Sequence, residues 1–127
     1  MESADKEKMW KDIQIYVKDR IDKNQTEMHT NNQRKKFWLK GATNTYIRVQ
    51  REDSNKIKED IPKNDFIDIW LDLNNPRYSS AGYLQRDLQN GNNRHSAVSF
   101  TLISKLPYIR TKKIRNGLRF FLDKSNF

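Results

Sequence analysis

A chain of 127 residues with 35% apolar residues and a net charge of +9 is long enough for one modest core and too short for two independent ones. It has no cysteine, which excludes disulfides, thiolate metal ligands and thiol nucleophiles together. No apolar run approaches the ~18 residues of a membrane span, and the charged start lacks the apolar stretch of a signal peptide, so a soluble, cytoplasmic, single-domain protein without a metal or other cofactor is expected.

The first predicted element is a helix. From Asp5 to Ile21, Met9, Trp10, Ile13, Tyr16, Val17 and Ile21 recur at steps of three and four, which gathers them on one face. That face could cover the protein's own core or meet a second copy in a homodimer. Asp22 to Gln33 is polar and rich in Asn, Gln and Thr, and reads as a loop. Phe37-Trp38-Leu39 and Tyr46-Ile47-Arg48-Val49-Gln50 are β-favouring runs on either side of a turn-prone Gly41-Ala42-Thr43-Asn44, which predicts a hairpin. Ile57 and Ile61 share parity and give a third strand ended by Pro62. Asn64 then caps a helix that turns Phe66, Ile69, Trp70 and Leu73 inward, and Asn74-Asn75-Pro76 stops it.

From 79 to 122 the pattern changes. Ser79 or Ser80 can cap a short helix burying Tyr83, Leu84 and Leu88, and Asn90-Gly91 has the residues that stop a helix and turn the chain. The next helix, Arg94 to Leu106, carries Val98, Leu102, Ile103 and Leu106, and Pro107 forbids its continuation. Tyr108–Arg115 and Leu118–Leu122 flank Asn116-Gly117, a strong hairpin signal because both turn positions need positive φ. Helix, turn, helix, hairpin is an order that resembles the second half of a winged helix-turn-helix, a resemblance of layout alone. The expected fold class is α+β, an N-terminal helix and small antiparallel sheet packed with a C-terminal winged helix-turn-helix-like unit.

Charge supplies the functional expectation. Between Leu88 and Leu122 there is no acidic residue, yet Arg94, Lys105, Arg110, Lys112, Lys113, Arg115 and Arg119 stand there. Like charges so gathered repel one another, and a polyanion relieves the repulsion. Nucleic acid, with duplex DNA as first candidate, is the expected partner, bound without catalysis. In a recognition helix starting at Arg94, the residues Asn92, Asn93, Arg94, His95, Ser96 and Ser99 would reach base edges, Arg pairing with guanine and Asn with adenine. In the hairpin, Arg110, Lys112, Lys113, Arg115 and Arg119 would hold phosphates or enter a minor groove. The plainer account of the hairpin is that its lysines keep an exposed ribbon from aggregating.

Other chemistries are thinner. A metal-independent nuclease or ribonuclease-type toxin would use His95 and Arg94, with His29 brought across an unrelated stretch of chain. Asp65, Asp68 and Asp72 fall on one helical side, but an acidic face near a helix start accounts for them without a metal. A protein-interaction adaptor would offer the same basic strip to an acidic partner. The cluster Arg34-Lys35-Lys36 before Phe37-Trp38, followed by Tyr46, Arg48 and Arg51, interleaves basic and aromatic residues in a way that suits single-stranded nucleic acid, although Phe37 and Trp38 are first read as core.

Overall fold

The computed structural model describes residues 2–31, 34–52, 58–87, 96–115 and 117–127, without the side chains of residues 2–4 and 86. It is an α+β arrangement. Helix α1 (Glu2–Asp22) is followed by a four-stranded antiparallel sheet of β1 (Glu27–His29), β2 (Lys36–Ala42), β3 (Tyr46–Arg51) and β4 (Glu59–Pro62), in spatial order β1-β2-β3-β4. Helix α2 (Lys63–Leu73), helix α3 (Ser96–Ile103) and a hairpin of β5 (Ile109–Ile114) and β6 (Gly117–Leu122) complete it.

The α1 spacing buries Met9, Trp10, Ile13 and Val17 against the sheet, so the helix covers its own core and the sequence-level option of a homodimer face on it gains no support. The helix stops where Asn24 takes a positive φ of 58° and Gln25 donates its backbone N–H to the Arg20 carbonyl, the left-handed termination that Asn tolerates. The polar stretch read as a loop contains β1, where only Met28 is buried; one apolar residue between Glu27 and His29 gives no period to detect. Met28, Phe37, Leu39, Ile47, Val49 and Ile61 form the inward face of the sheet, all of them buried.

Asn64 is not the cap of α2. The strand β4 runs straight into the helix, so Pro62 occupies the cap position with no side-chain hydrogen bond, and the Lys63 N–H is satisfied by the Thr45 carbonyl at 2.8 Å. Phe66, Ile67, Ile69, Trp70 and Leu73 are buried. The short helix expected from Ser79 or Ser80 is absent as well. Two 3-10 turns, Pro76–Tyr78 and Gln85–Asp87, stand on either side of an extended Tyr83, whose N–H and C=O bond to Phe120 of β6 at 2.9 and 2.8 Å. Gly82 opens this segment at φ 86°, and a Cβ there would lie 2.9 Å from the Phe121 ring. Tyr83 and Leu84 are buried as expected, but on a strand-like edge; Leu88, Asn90 and Gly91 lie outside the described residues.

The hairpin forms one residue away from the expected register. Ile114 pairs with Gly117, so the two connecting residues are Arg115 and Asn116, and Gly117 takes the positive φ of 147° from the first strand position. Asn116 lies outside the described residues. A single cluster of buried side chains runs from α1 through the sheet, α2, Tyr83 and α3 to Ile109 and Phe120. Among the described residues no helix is long and apolar enough to cross a membrane.

Candidate nucleic-acid interface

Side chains alternate across a strand, and the alternation sorts the hairpin into two faces. Ile109 and Phe120 point into the core, with Leu118 and Leu122 packed beside them. The opposite parity sends Arg110 and Lys112 of β5 outward, directly across from Phe121 and Arg119 of β6. Lys113 shares the inward parity yet is exposed, because it pairs with Leu118 near the tip, beyond the edge of the core. Arg115 in the connection is also exposed. Lys112, Lys113 and Arg115 make no ion pair with the described residues. Arg110 reaches Asp123 only at 3.6 Å, and hydrogen bonds from the Ser125 hydroxyl and backbone, with that nearby cation, hold the Asp123 carboxyl below its ordinary value. Arg119 is partly committed, donating to the Ala81 carbonyl at 2.7 Å. Two cations set directly opposite, Lys112 and Arg119, cost stability in a ribbon.

The helix half of the expected interface does not present itself to a groove. Every residue of α3 except Ala97 is buried, and a helix enclosed on nearly all sides is a core helix. Ser96 accepts a hydrogen bond from the Gln85 amide at 2.9 Å. Ser99 is fully buried and its hydroxyl has no partner among the described residues. Neither serine can reach a base edge from there. Asn92, Asn93, Arg94 and His95 lie outside the described residues. One consequence is testable by urea denaturation: Ser99→Ala removes an unsatisfied hydroxyl from the core and favours the helix, so stability should rise by about 0.5–1.5 kcal/mol, and a loss of similar size would mean that the hydroxyl is bonded after all.

The residues of the nuclease alternative are not assembled by the described structure. His29 is exposed on β1, on the wall of a cleft of about 520 Å³ that also has Arg20, Arg34 and Lys105 along it. Arg20 is spent on structure, donating to the carbonyls of Gln25 and Glu27. Among the described residues no group of three His, Asp or Glu could hold a metal ion. On α2, burial and the neighbouring Asp65 and Asp72 raise the Asp68 carboxyl above its ordinary value, while Asp72 accepts a hydrogen bond from the Tyr83 hydroxyl at 2.6 Å.

The sheet cluster splits by parity. Phe37 is core, and Arg51 turns inward to a half-buried ion pair with Glu59. Trp38, Tyr46 and Arg48 point the other way and are only partly covered. The signal for this was present in the sequence, since Phe37 and Leu39 claim the inward face and leave Trp38 on the opposite one.

The chain matches no protein-family model, no curated protein and no solved structure.

Proposed function

We propose that this protein binds nucleic acid without cutting it, duplex DNA first, and that the β5–β6 hairpin is the element that grips the phosphates. The observation that carries the reading is the hairpin itself: Arg110, Lys112, Lys113 and Arg115 project into solvent, with the long Arg110–Asp123 contact their one ion pair to the described residues. A ribbon of this width can lie along a backbone or enter a minor groove while its inward face stays anchored on the core. Binding of this kind releases counterions, and the number of phosphates neutralised appears in the salt slope. With α3 buried, base edges are not read by that helix, so the affinity should depend little on sequence.

The test is anisotropy of labelled duplex DNA and double-stranded RNA between 50 and 200 mM salt, with the strands checked afterwards for cleavage. Four phosphate contacts give a slope of about −3.6 in log K against log salt, a loss of roughly a hundredfold over that range. The Lys112→Ala, Lys113→Ala double variant should bind more weakly and lower the slope by about 2. A variant with unchanged affinity and slope would remove the hairpin from the interface. No binding to either duplex would overturn the reading in favour of an acidic protein partner, and cut strands would replace it with nuclease activity.

A further inference from the structure

The four-stranded sheet has a covered side and an open one. Its inward apolar residues Met28, Phe37, Leu39, Ile47, Val49 and Ile61 are buried, whereas the outward residues Glu27, His29, Lys36, Trp38, Tyr46, Arg48, Gln50, Asp60 and Pro62 are all partly or fully exposed. No described element packs over them closely enough to bury one.

What this open face carries is uncommon for a solvated sheet. The central strands β2 and β3 present Lys36, Trp38, Tyr46, Arg48 and Gln50, with Lys40 as the extra residue where the register shifts between Leu39 and Gly41. None of these is a carboxylate. Gly41 pairs with Arg48 and has no side chain, so the middle of the face is flat. The guanidinium of Arg48 is fixed there: Asp60 accepts from its Nε at 2.7 Å and from its Nη2 at 3.1 Å, and it lies 5.1 Å from the centre of the Tyr46 ring. The nearest acids stand at the margins and are engaged or peripheral. Asp60 is held by Arg48, Glu52 follows β3 and accepts the Lys36 backbone N–H, and Glu27 lies on the edge strand opposite Trp38. Trp38 is paired with Gln50, four residues from Tyr46 along β3, a separation of roughly 13 Å, so the two rings would take different bases.

We infer that this outward face is a second binding surface, independent of the hairpin, that takes single-stranded nucleic acid by stacking bases on Trp38 and on the Tyr46–Arg48 pair while Lys36 and Lys40 track the backbone. Partly exposed rings and a guanidinium plane accept any base, and Lys36 and Lys40 on β2 supply cations for a phosphate chain, with Glu27 set across from Trp38 on the edge strand. The preference is for strands whose bases are free, since a duplex hides the faces that the rings would cover.

The chain contains its own reporter. Of its three tryptophans, Trp10 and Trp70 are buried at 3% and 1% exposure, and only Trp38 is partly exposed, so quenching by a stacked base reads out Trp38. The intact protein is titrated with a twelve-residue deoxythymidine oligomer while tryptophan emission is followed, and affinity is measured separately by anisotropy of the labelled oligomer. Saturable quenching is expected. Trp38→Ala should weaken the oligomer by about tenfold or more, whereas Trp38→Phe, which keeps a π face, should stay within about threefold. Lys40→Glu, at an exposed position, should weaken it while leaving the fold intact by circular dichroism, which keeps the test informative should Trp38→Ala unfold. The Lys112→Ala, Lys113→Ala variant should quench as the native protein does even where duplex binding is impaired, so failure of the hairpin reading and failure of this one are told apart. Absent quenching, equal affinities for native protein and Trp38→Ala, or equal quenching by a poly-glutamate peptide would each overturn the inference.

Discussion

Trp70→Ala is expected to remove about 3–5 kcal/mol of stability and to lower the melting temperature by about 10–20 °C. Trp70 is 1% exposed and joins α2 to the end of the chain. It meets Tyr108 edge-on at 5.8 Å and stacks on Phe127 at 5.4 Å, and those two rings meet each other at 4.7 Å. Lys8 of α1 closes the group, its ammonium 4.2 Å from the centre of the Phe127 ring. Truncation would leave a cavity that four elements share, and such a site collapses poorly because no single neighbour can move in to fill it. Trp38→Ala is the contrast: the same change on the open sheet face should cost far less. Calorimetry of the two variants checks the pair. A Trp70→Ala loss of under about 1 kcal/mol would mean that the seam between α2, Tyr108 and Phe127 is not packed as described.

The sequence made the elements with a local period legible and left unread those made by distant partners. Met9, Trp10, Ile13 and Val17 announce α1, and Ile47 and Val49 announce β3, because one residue in three or four, or every second one, is enough to define a face. Tyr83 is different. Its neighbours allow a helix, and what makes it a strand is Phe120, far along the chain, together with the positive φ of Gly82. Strand behaviour of this kind depends on context more than on intrinsic preference. The misreading of α3 has another cause. Ser96 and Ser99 are the helix residues expected to reach base edges, yet both are buried, as is Thr101, whose hydroxyl donates to the Ala97 carbonyl and accepts the Asn31 N–H. A hydroxyl that bonds back to its own helix needs no water, so small polar residues give no warning that a helix is enclosed. The basic hairpin was legible as charge; which of its cations face together emerged only from the register.

Above about pH 10 the fold should lose stability at about 2.7 kcal/mol per pH unit, and two tyrosines account for it. Tyr83 and Tyr108 are 0% and 1% exposed. Tyr83 donates to Asp72 at 2.6 Å and Tyr108 to Asp12 at 2.8 Å. Burial first, then the hydrogen bond and the charge of the carboxylate, push both phenols well above their ordinary value; Tyr78 and Asp87 add to the effect at Tyr83. The folded protein therefore keeps both protons at pH values where the unfolded chain, titrating near 10, gives them up. With folded values raised, the stabilisation is complete below pH 10 and is lost as the pH climbs towards the folded values, each group contributing about 1.4 kcal/mol per pH unit. Urea denaturation from pH 8.5 to 11.5 measures the slope, and absorbance of the phenolate should show Tyr83 and Tyr108 ionising only with unfolding. Tyr108→Phe and Tyr83→Phe should each halve the slope, and the double variant should abolish it at the cost of lower stability at neutral pH. An unchanged slope in those variants would locate the alkaline transition elsewhere. The two bonds also moor the hairpin, one tying the residue before β5 to α1 and the other tying the strand beside β6 to α2, so the proposed duplex binding should weaken along the same alkaline curve as the fold.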